Sequence, residues 1–403
     1  MNVLFIALAW PKPGESNLYT DLMDEFVAAG DQVCVATLCE KRNGLDTNLR
    51  EENGMQVLRV KCGNIQKTNK YEKVISSFVG GYQLERAVNR YFGDWQFDVI
   101  IFALPPLTIT LPLIRIKKRF HSKLYVLLKE FWPQDPADMG AMSVGGAVWK
   151  VFRYLEKKLY EHSDYIGTMS EAGAEYIRKT FPQLDCQLEV CPNSEKFKPR
   201  NWVAPEARKR WREKFGIRET DCAFVFGGNL GLSQGIPEMI ECIRAASDIK
   251  DVKFVIVGDG TEKDKLFHAL EHQENVLLFD WLPKEDYDTL VDACDVGMLF
   301  LYPKYTVPNI PSRLVSYLLS GLPVVACVDP ANDIGKILSE HNCGVSMING
   351  DTEGFREAVI LMKNAEKRKE LGENSRKLFE SDYTARRGHE IISAHFQNSG
   401  DRH

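Results

Sequence analysis

Short apolar runs alternate with stretches of helical periodicity along almost the whole chain, and that alternation leaves few folds open. Val3 to Ala9 reads as a strand. Leu18 to Ala29 reads as a helix with Leu18, Leu22, Phe26 and Val27 on its apolar side, ended by Gly30, and Val33 to Leu38 is the next strand. Val99 to Ala103, Lys123 to Leu128 and Tyr165 to Met169 follow as strands. The pattern restarts after residue 220 with Ala223 to Phe226, a glycine-rich turn and a helix over Ile236 to Ala246. Further strands are expected at Phe254 to Val257, Val276 to Phe279, Val296 to Phe300, Val324 to Ala326 and Val345 to Ile348. Strand–helix alternation implies parallel sheets with crossover helices. The chain is therefore expected to be α/β, with two doubly wound halves joined near Cys191-Pro192-Asn193. Such sheets bind ligands beyond the carboxyl ends of their strands, which points to a cleft between the halves.

Composition removes several function classes. The 403 residues include 51 Lys and Arg against 56 Asp and Glu, a formal charge of −5, with 44% hydrophobic and 10% aromatic content. Those values exclude wholesale disorder and argue against nucleic acid as the main partner. The ten cysteines include no CxxC pair. Cys34/Cys39 and Cys186/Cys191 have a spacing that fits no common zinc module, so buried reduced thiols of a cytosolic protein are expected. The opening run has no Lys or Arg before it and reads as a core strand rather than a signal peptide. The uncharged stretch Val99 to Ile114 is too short to span a bilayer and contains Pro105, Pro106 and Pro112, so it reads as strand, loop and helix start. His268 and His272 lack a third ligand, and Asp286-Tyr287-Asp288 reads as charge at a helix start. No metal site is expected.

Three turns at strand ends can carry chemistry. Phe226-Gly227-Gly228-Asn229-Leu230-Gly231-Leu232-Ser233-Gln234-Gly235 leads from a strand to a helix with Pro237 in its first turn; small residues there admit a ligand to the backbone, and helix-start N–H groups attract phosphate. A tight turn without ligand has the same composition. Val257-Gly258-Asp259-Gly260-Thr261 repeats the arrangement more weakly. Pro308-Asn309-Ile310-Pro311-Ser312-Arg313 opens a helix ending at Gly321-Leu322-Pro323. A cation in a first turn is unfavourable unless an anion joins it, so Arg313 is a candidate anion ligand or a surface residue.

With these segments the sequence resembles the family-four retaining glycosyltransferases of the GT-B fold, nearest the capsule, colanic-acid and O-antigen branch. The resemblance covers nearly the whole chain. It is most specific in GGNLGLSQG, VGDG, DACDVGMLFL and PNIPSRLVSYLLSGLPVVA, and looser in Lys129-Glu130-Phe131-Trp132-Pro133 and Val190-Cys191-Pro192-Asn193. It implies two Rossmann-like domains facing a cleft, an acceptor domain at 1–195 and a nucleotide-sugar domain at 196–381, with a last helix in 382–398 crossing back. It implies a nucleotide-diphosphate sugar as co-substrate, no separate cofactor, retention at the anomeric carbon, and donor contacts from Gly14, Gly228, Asn229, Gln234, Gly258, Asp259, Gly260, Trp281, Leu282, Pro311, Ser312, Arg313 and Ser316. The wider family carries Arg and Lys where this chain has Asn229 and Gln234, and a pair of Glu where it has Pro308 and Ser316.

In the first half, Glu130 follows a strand, and Trp132, Asp135 and Asp138 come soon after. Glu130 and Asp135 are candidates to position or deprotonate an acceptor hydroxyl, and a loop-ordering cluster is the other reading. Glu15, Ser16, Trp132 and Asp138 are assigned to the acceptor. The resemblance allows a glycan or undecaprenyl-diphosphate-linked acceptor at the inner face of the plasma membrane. Arg115, Lys117, Lys118, Arg119 and Lys123, interleaved with Leu113, Ile114, Ile116 and Phe120, can then meet an anionic membrane through residues 113–123 or form a solvated helix. Two alternatives stay open: a nucleotide-sugar epimerase of the same fold, and a non-catalytic nucleotide-sugar-binding partner of another transferase.

Overall fold

The computed structural model describes residues 1–65, 68–199 and 204–396. Its residues divide into two compact units, Met1–Lys196 with the stretch from Ala385 on, and Phe197–Thr384.

In the first unit, β1 (Asn2–Ala7), β2 (Gln32–Glu40), β3 (Asn48–Glu52), β4 (Met55–Cys62), β5 (Val99–Leu104), β6 (Lys123–Leu128), β7 (Tyr165–Thr168) and β8 (Gln187–Val190) form one sheet in the order β3-β4-β2-β1-β5-β6-β7-β8. The order reverses direction at β1. β2 lies on one side in register Val3↔Val33 and β5 on the other in register Val3↔Val99. The central strands are buried on both faces, as crossover connections require. Helices α1 (Leu18–Ala28), α2 (Lys70–Tyr91), α3 (Thr110–Phe120), α4 (Gln134–Asp138), α5 (Ala147–Glu161) and α6 (Glu171–Thr180) make the crossovers and cover the sheet. Asn17 starts α1 with a capping box: its side chain accepts the N–H groups of Tyr19 and Thr20, and the Thr20 hydroxyl accepts the Asn17 N–H.

The expectation of purely parallel pairing fails at one edge. β3 and β4 are antiparallel, with Glu52 opposite Met55. The turn between them is Asn53-Gly54, both at positive φ (48° and 78°), the dihedrals a two-residue hairpin needs. β8, at the other edge, was also unexpected; Gln187-Leu188-Glu189-Val190 alternates, but a run of four with no buried residue is too short to stand out from a loop.

In the second unit, β9 (Cys222–Asn229), β10 (Val252–Asp259), β11 (Val276–Phe279), β12 (Val296–Phe300), β13 (Val324–Val328) and β14 (Gly344–Ile348) are all parallel, ordered β11-β10-β9-β12-β13-β14. The order reverses between β9 and β12. Helices α7 (Pro205–Lys214), α8 (Ile236–Ala245), α9 (Lys263–Leu270), α10 (Lys284–Ala293), α11 (Arg313–Leu319), α12 (Ile334–Glu340), α13 (Thr352–Met362) and α14 (Ala365–Asp382) surround it. Phe224, Phe254 and Phe300 of the sheet and Phe355 of α13 meet as a chain of tilted rings in the core. α7 is fastened by Arg212, which donates to the Ala293, Arg218 and Asp221 carbonyls and pairs with Asp295 at 3.0 Å.

The last helix, α15 (Ala385–Ser393), belongs to the first unit. Its Ile392 is fully buried in the core that contains Leu22, Met23 and Phe26 of α1, and a Cβ at Gly388 would lie 3.1 Å from Leu22. His389 meets the Phe26 ring edge-on at 4.5 Å. Just beyond it, His395 stacks on Tyr165 at 4.0 Å and contacts Glu189, whose carboxylate also accepts the Tyr125 hydroxyl proton.

The helix expected to meet a membrane is built differently. Leu113, Ile114 and Ile116 of α3 are buried beneath α2 and α5, so the apolar half of the 113–123 stripe faces the core and cannot enter a lipid surface. Arg115, Lys118 and Arg119 remain exposed.

Candidate functional site

In the second unit the sequence-assigned turns converge at the strand-order reversal. β9 runs on through Gly227, Gly228 and Asn229, in register with β10 as Gly228↔Gly258 and Asn229↔Asp259. The expected glycine loop is thus partly strand, because its small residues serve the ladder itself. A Cβ on Gly258 would lie 2.0 Å from the Gly228 carbonyl oxygen. One on Gly260 would lie 2.5 Å from the Leu230 backbone, and one on Gly227 would strike the Tyr287 ring at 2.1 Å. Gly228 differs: at φ +109°, a Cβ there would have only Arg313 nearby, at 3.8 Å, and would otherwise point into open space. It is the glycine that leaves room for a ligand.

Arg313 opens α11 and is only 8% exposed. The guanidinium lies 4.0 Å above the Phe226 ring, and Nη2 donates a long bond (3.5 Å) to the Asn229 carbonyl. Nη1 has no partner among the described residues, and no carboxylate there pairs with the cation. Burial lowers its pKa, with Tyr317 and Tyr287 opposing the shift. Tyr317 fixes the helix by donating to the Val225 carbonyl (3.1 Å), its ring filling the space left by Gly297. A buried cation without a counter-ion is costly, and an arriving anion removes the cost. Sequence reading put Arg313 in a first turn but gave no sign of Phe226 beneath it.

The other donor candidates are spread over this unit. Asn229 and Asp259 are exposed at their strand ends, and Asp259 accepts the Gly260 N–H at 3.0 Å. Gln234 is half-buried before α8; its Nε2 donates to Ser233, while Oε1 has no partner among the described residues. Pro311 and Ser316 are half-buried and Ser312 is exposed, around the start of α11. Trp281 is 65% exposed and Leu282 half-buried, ahead of α10.

In the first unit, Gly14 is exposed at φ +88° after β1, beside exposed Glu15 and Ser16; Glu15 accepts the Lys12 N–H at 3.2 Å. A pocket of about 500 Å³ opens at the carboxyl ends of β1 and β2, lined by Trp10, Lys12, Thr37, Glu40, Arg42 and Arg59. Arg42 pairs with Glu40, Arg59 with Glu52, and the buried Thr37 hydroxyl lacks a partner among the described residues.

The Glu130 side chain reaches solvent after β6. Protein packed around it desolvates the carboxyl and raises its pKa, against a lowering bond from the Trp132 indole N–H (3.2 Å). Asp135 is 5% exposed and accepts the Phe131 N–H at 2.6 Å. That contact matches the loop-ordering reading of Asp135. Asp138 accepts from Gln134 (2.7 Å), and Trp132 packs on Phe152. Beside them, Lys129 is largely buried, donates to the Cys191 carbonyl (3.3 Å), and is pushed down to about 8 by desolvation. Among the described residues no group of three His, Cys, Asp or Glu could hold a metal ion.

Residues 207–378 match the family model described as glycosyl transferases group 1. The "probable glycosyltransferase WbjE" of Pseudomonas aeruginosa is 23% identical over 263 residues, spanning 61% of this chain and only 61% of that protein. Sucrose-phosphate synthase from Thermosynechococcus elongatus superposes with a TM-score of 0.75 at 14% identity, covering 98% of both chains. HepE from Anabaena, in complex with UDP and glucose, superposes at 0.68 with 15% identity, covering 98% of this chain and 99% of that one. The second unit is thus related to group 1 glycosyl transferases, and the chain has the GT-B fold of two Rossmann-like α/β domains.

Proposed function

We propose that the chain is a glycosyltransferase that moves a sugar from a nucleotide-diphosphate sugar to a growing, lipid-linked surface glycan, with retention. The observation that carries this reading is Arg313: a buried guanidinium with no carboxylate partner and an unpartnered Nη1 among the described residues, next to the one glycine of the turn that leaves open space. A diphosphate fits that position chemically, since charge-assisted bonds would satisfy both the orphaned nitrogen and the buried charge. Developing charge on the leaving diphosphate would be stabilised at the same point. The UDP and glucose named for the HepE complex make UDP-sugars the first donors to try.

On the acceptor side, Glu130 is the reachable carboxylate and its raised pKa makes it the stronger base. Asp135 acts in this reading by holding the loop rather than by touching substrate. The pocket after β1 and β2 would take part of the acceptor. Free thiols at all ten cysteines accord with a reducing, cytoplasmic setting.

The test is calorimetry of UDP against uridine, followed by donor turnover with and without a lipid-diphosphate-sugar acceptor. Tighter binding of the diphosphate with turnover supports the proposal. Diphosphate binding without turnover or hydrolysis favours the non-catalytic partner, a reading that Ser316 in place of an acidic residue also supports. Equal affinity for UDP and uridine would sink the proposal.

A further inference from the structure

The outer face of α2 and α5 is apolar where it meets solvent. Val74, Ile75 and Val79 of α2 and Val148, Val151 and Tyr154 of α5 are each 48–63% exposed. On α2 they lie on the side away from buried Leu84, and on α5 they follow one another at i, i+3 spacing along one exposed side, next to buried Leu155. The two arcs adjoin, because Phe78 and Phe152 bring their rings within 6.4 Å across the helix pair. Single exposed apolar residues are ordinary on a protein surface, but six large ones gathered on one face mark an interaction site.

The surroundings are strongly basic. α2, α3 and α5 together carry twelve Lys and Arg against four Glu, in a chain whose formal charge is −5. Three of those acids are already held by basic neighbours: Glu85 by Arg115, Glu156 by Arg153 and Glu161 by Lys158. Lys73, Arg86, Lys118 and Lys150 are exposed and have no acidic partner among the described residues. A nucleic acid would use the cations but not the apolar arcs. A neutral apolar partner would use the arcs but not the cations.

We infer that the α2–α5 face seats on an anionic lipid surface, its valines and Ile75 entering the interface and its lysines and arginines meeting the headgroups. No described helix is long and apolar enough to cross a membrane, so the contact lies along the surface. On α2 the exposed apolar residues run from Val74 to Tyr82, about 12 Å along the helix. This inference rests on the first unit alone and does not depend on the proposed activity.

Sedimentation of the full chain with phosphatidylcholine vesicles, with and without phosphatidylglycerol, tests it. Binding is expected only with the anionic lipid, and it should weaken in high salt. Ile75→Ser combined with Val151→Ser should cut partitioning by about tenfold or more with an unchanged melting temperature. Lys73→Gln with Lys150→Gln should cut it several-fold and flatten the salt dependence. Should the first pair melt early, Val148→Ser alone serves the same comparison. Equal binding to both vesicle types overturns the inference, as does full binding by the folded Ser variants. So does light scattering that finds a dimer dissolved by Ile75→Ser and Val151→Ser, since the occupant would then be a second copy of the chain.

Discussion

Arg313 holds its guanidinium 4.0 Å above the ring of Phe226, at the point where the strand order of the second unit reverses. The ring gives the buried charge a partial partner, and one nitrogen has none among the described residues. Stability and binding are therefore opposed at this residue.

Arg313→Met should leave the melting temperature unchanged or raised, because a buried cation without a counter-ion is replaced by an apolar chain. The same variant should lose about 1.5–3 kcal/mol of nucleoside-diphosphate binding and almost none of nucleoside binding. Calorimetry and thermal melting on one preparation decide. Equal loss for both ligands would move Arg313 to the base pocket or to folding.

Two glycines that look alike in sequence should separate. Gly258→Ala sets a methyl against the Gly228 carbonyl and should destabilise by roughly 1–3 kcal/mol or more, whatever the ligand. Gly228→Ala meets open space and costs mainly backbone strain at φ +109°, about 1–2 kcal/mol, yet it fills the ligand's approach. Denaturant melts should rank Gly258→Ala as the worse folder, while donor titration shows Gly228→Ala binding poorly in its folded fraction.

Glu130→Gln should slow transfer about 10²–10⁴-fold with donor affinity within a factor of a few. A base works only when deprotonated, so wild-type activity should fall as pH drops, at a pH above that of an ordinary glutamate because burial raises the Glu130 pKa. The variant should lack that limb. Asp135→Ala should instead lower the melting temperature, since the Phe131 N–H loses its acceptor. A stable Glu130→Gln protein with normal transfer would take Glu130 out of the chemistry.

Lys129 supplies a pH test of stability. Its folded value of about 8 lies below the ~10.4 of an unfolded lysine, so the unfolded chain binds more protons between those values. The destabilisation is complete below pH 8 and is relieved as pH rises to about 10.4. Lys129→Met should therefore stabilise at pH 7 by up to about 3 kcal/mol, less the lost bond to Cys191. The gain should vanish above pH 10. A constant difference across that range would show that the amine is not desolvated.

The docking of α15 rests on Ile392, and Ile392→Ala should cost about 2–5 kcal/mol through the cavity it leaves. Removal of residues from 382 onward should lower the melting temperature further, because it also uncovers Leu22 and Phe26. Differential scanning calorimetry checks both, and an unaltered transition in the truncated protein would contradict the packing described.

Where a segment is buried on both faces, its boundaries were legible. Val99–Leu104 and Val296–Phe300 are buried throughout and follow their apolar runs to within a residue, since a two-faced strand tolerates almost no polar residue. The β3–β4 hairpin escaped although Asn53-Gly54 is a strong turn signal, because Arg50, Glu51 and Glu52 make β3 look like a charged loop. The site was legible only in outline. The turns and Arg313 were found, but the uses of Gly227, Gly258 and Gly260 depend on Tyr287, Gly228 and Leu230, contacts that spacing along the chain does not encode. The surface cations of α3 were visible, but the direction its apolar residues face was not.

The fastening of Ala385 to Glu195, whose carbonyl accepts the Ala385 N–H at 2.8 Å, has a consequence for synthesis. Everything from Phe197 to Thr384 is looped out between two residues that end up side by side. On the ribosome the first unit must therefore wait with its α1 face bare while the whole second unit is translated and folds. Only when residue 392 emerges can that core close. A message that stops short of it would release a chain whose second unit is finished and whose first unit is still open, a natural substrate for chaperones and proteases.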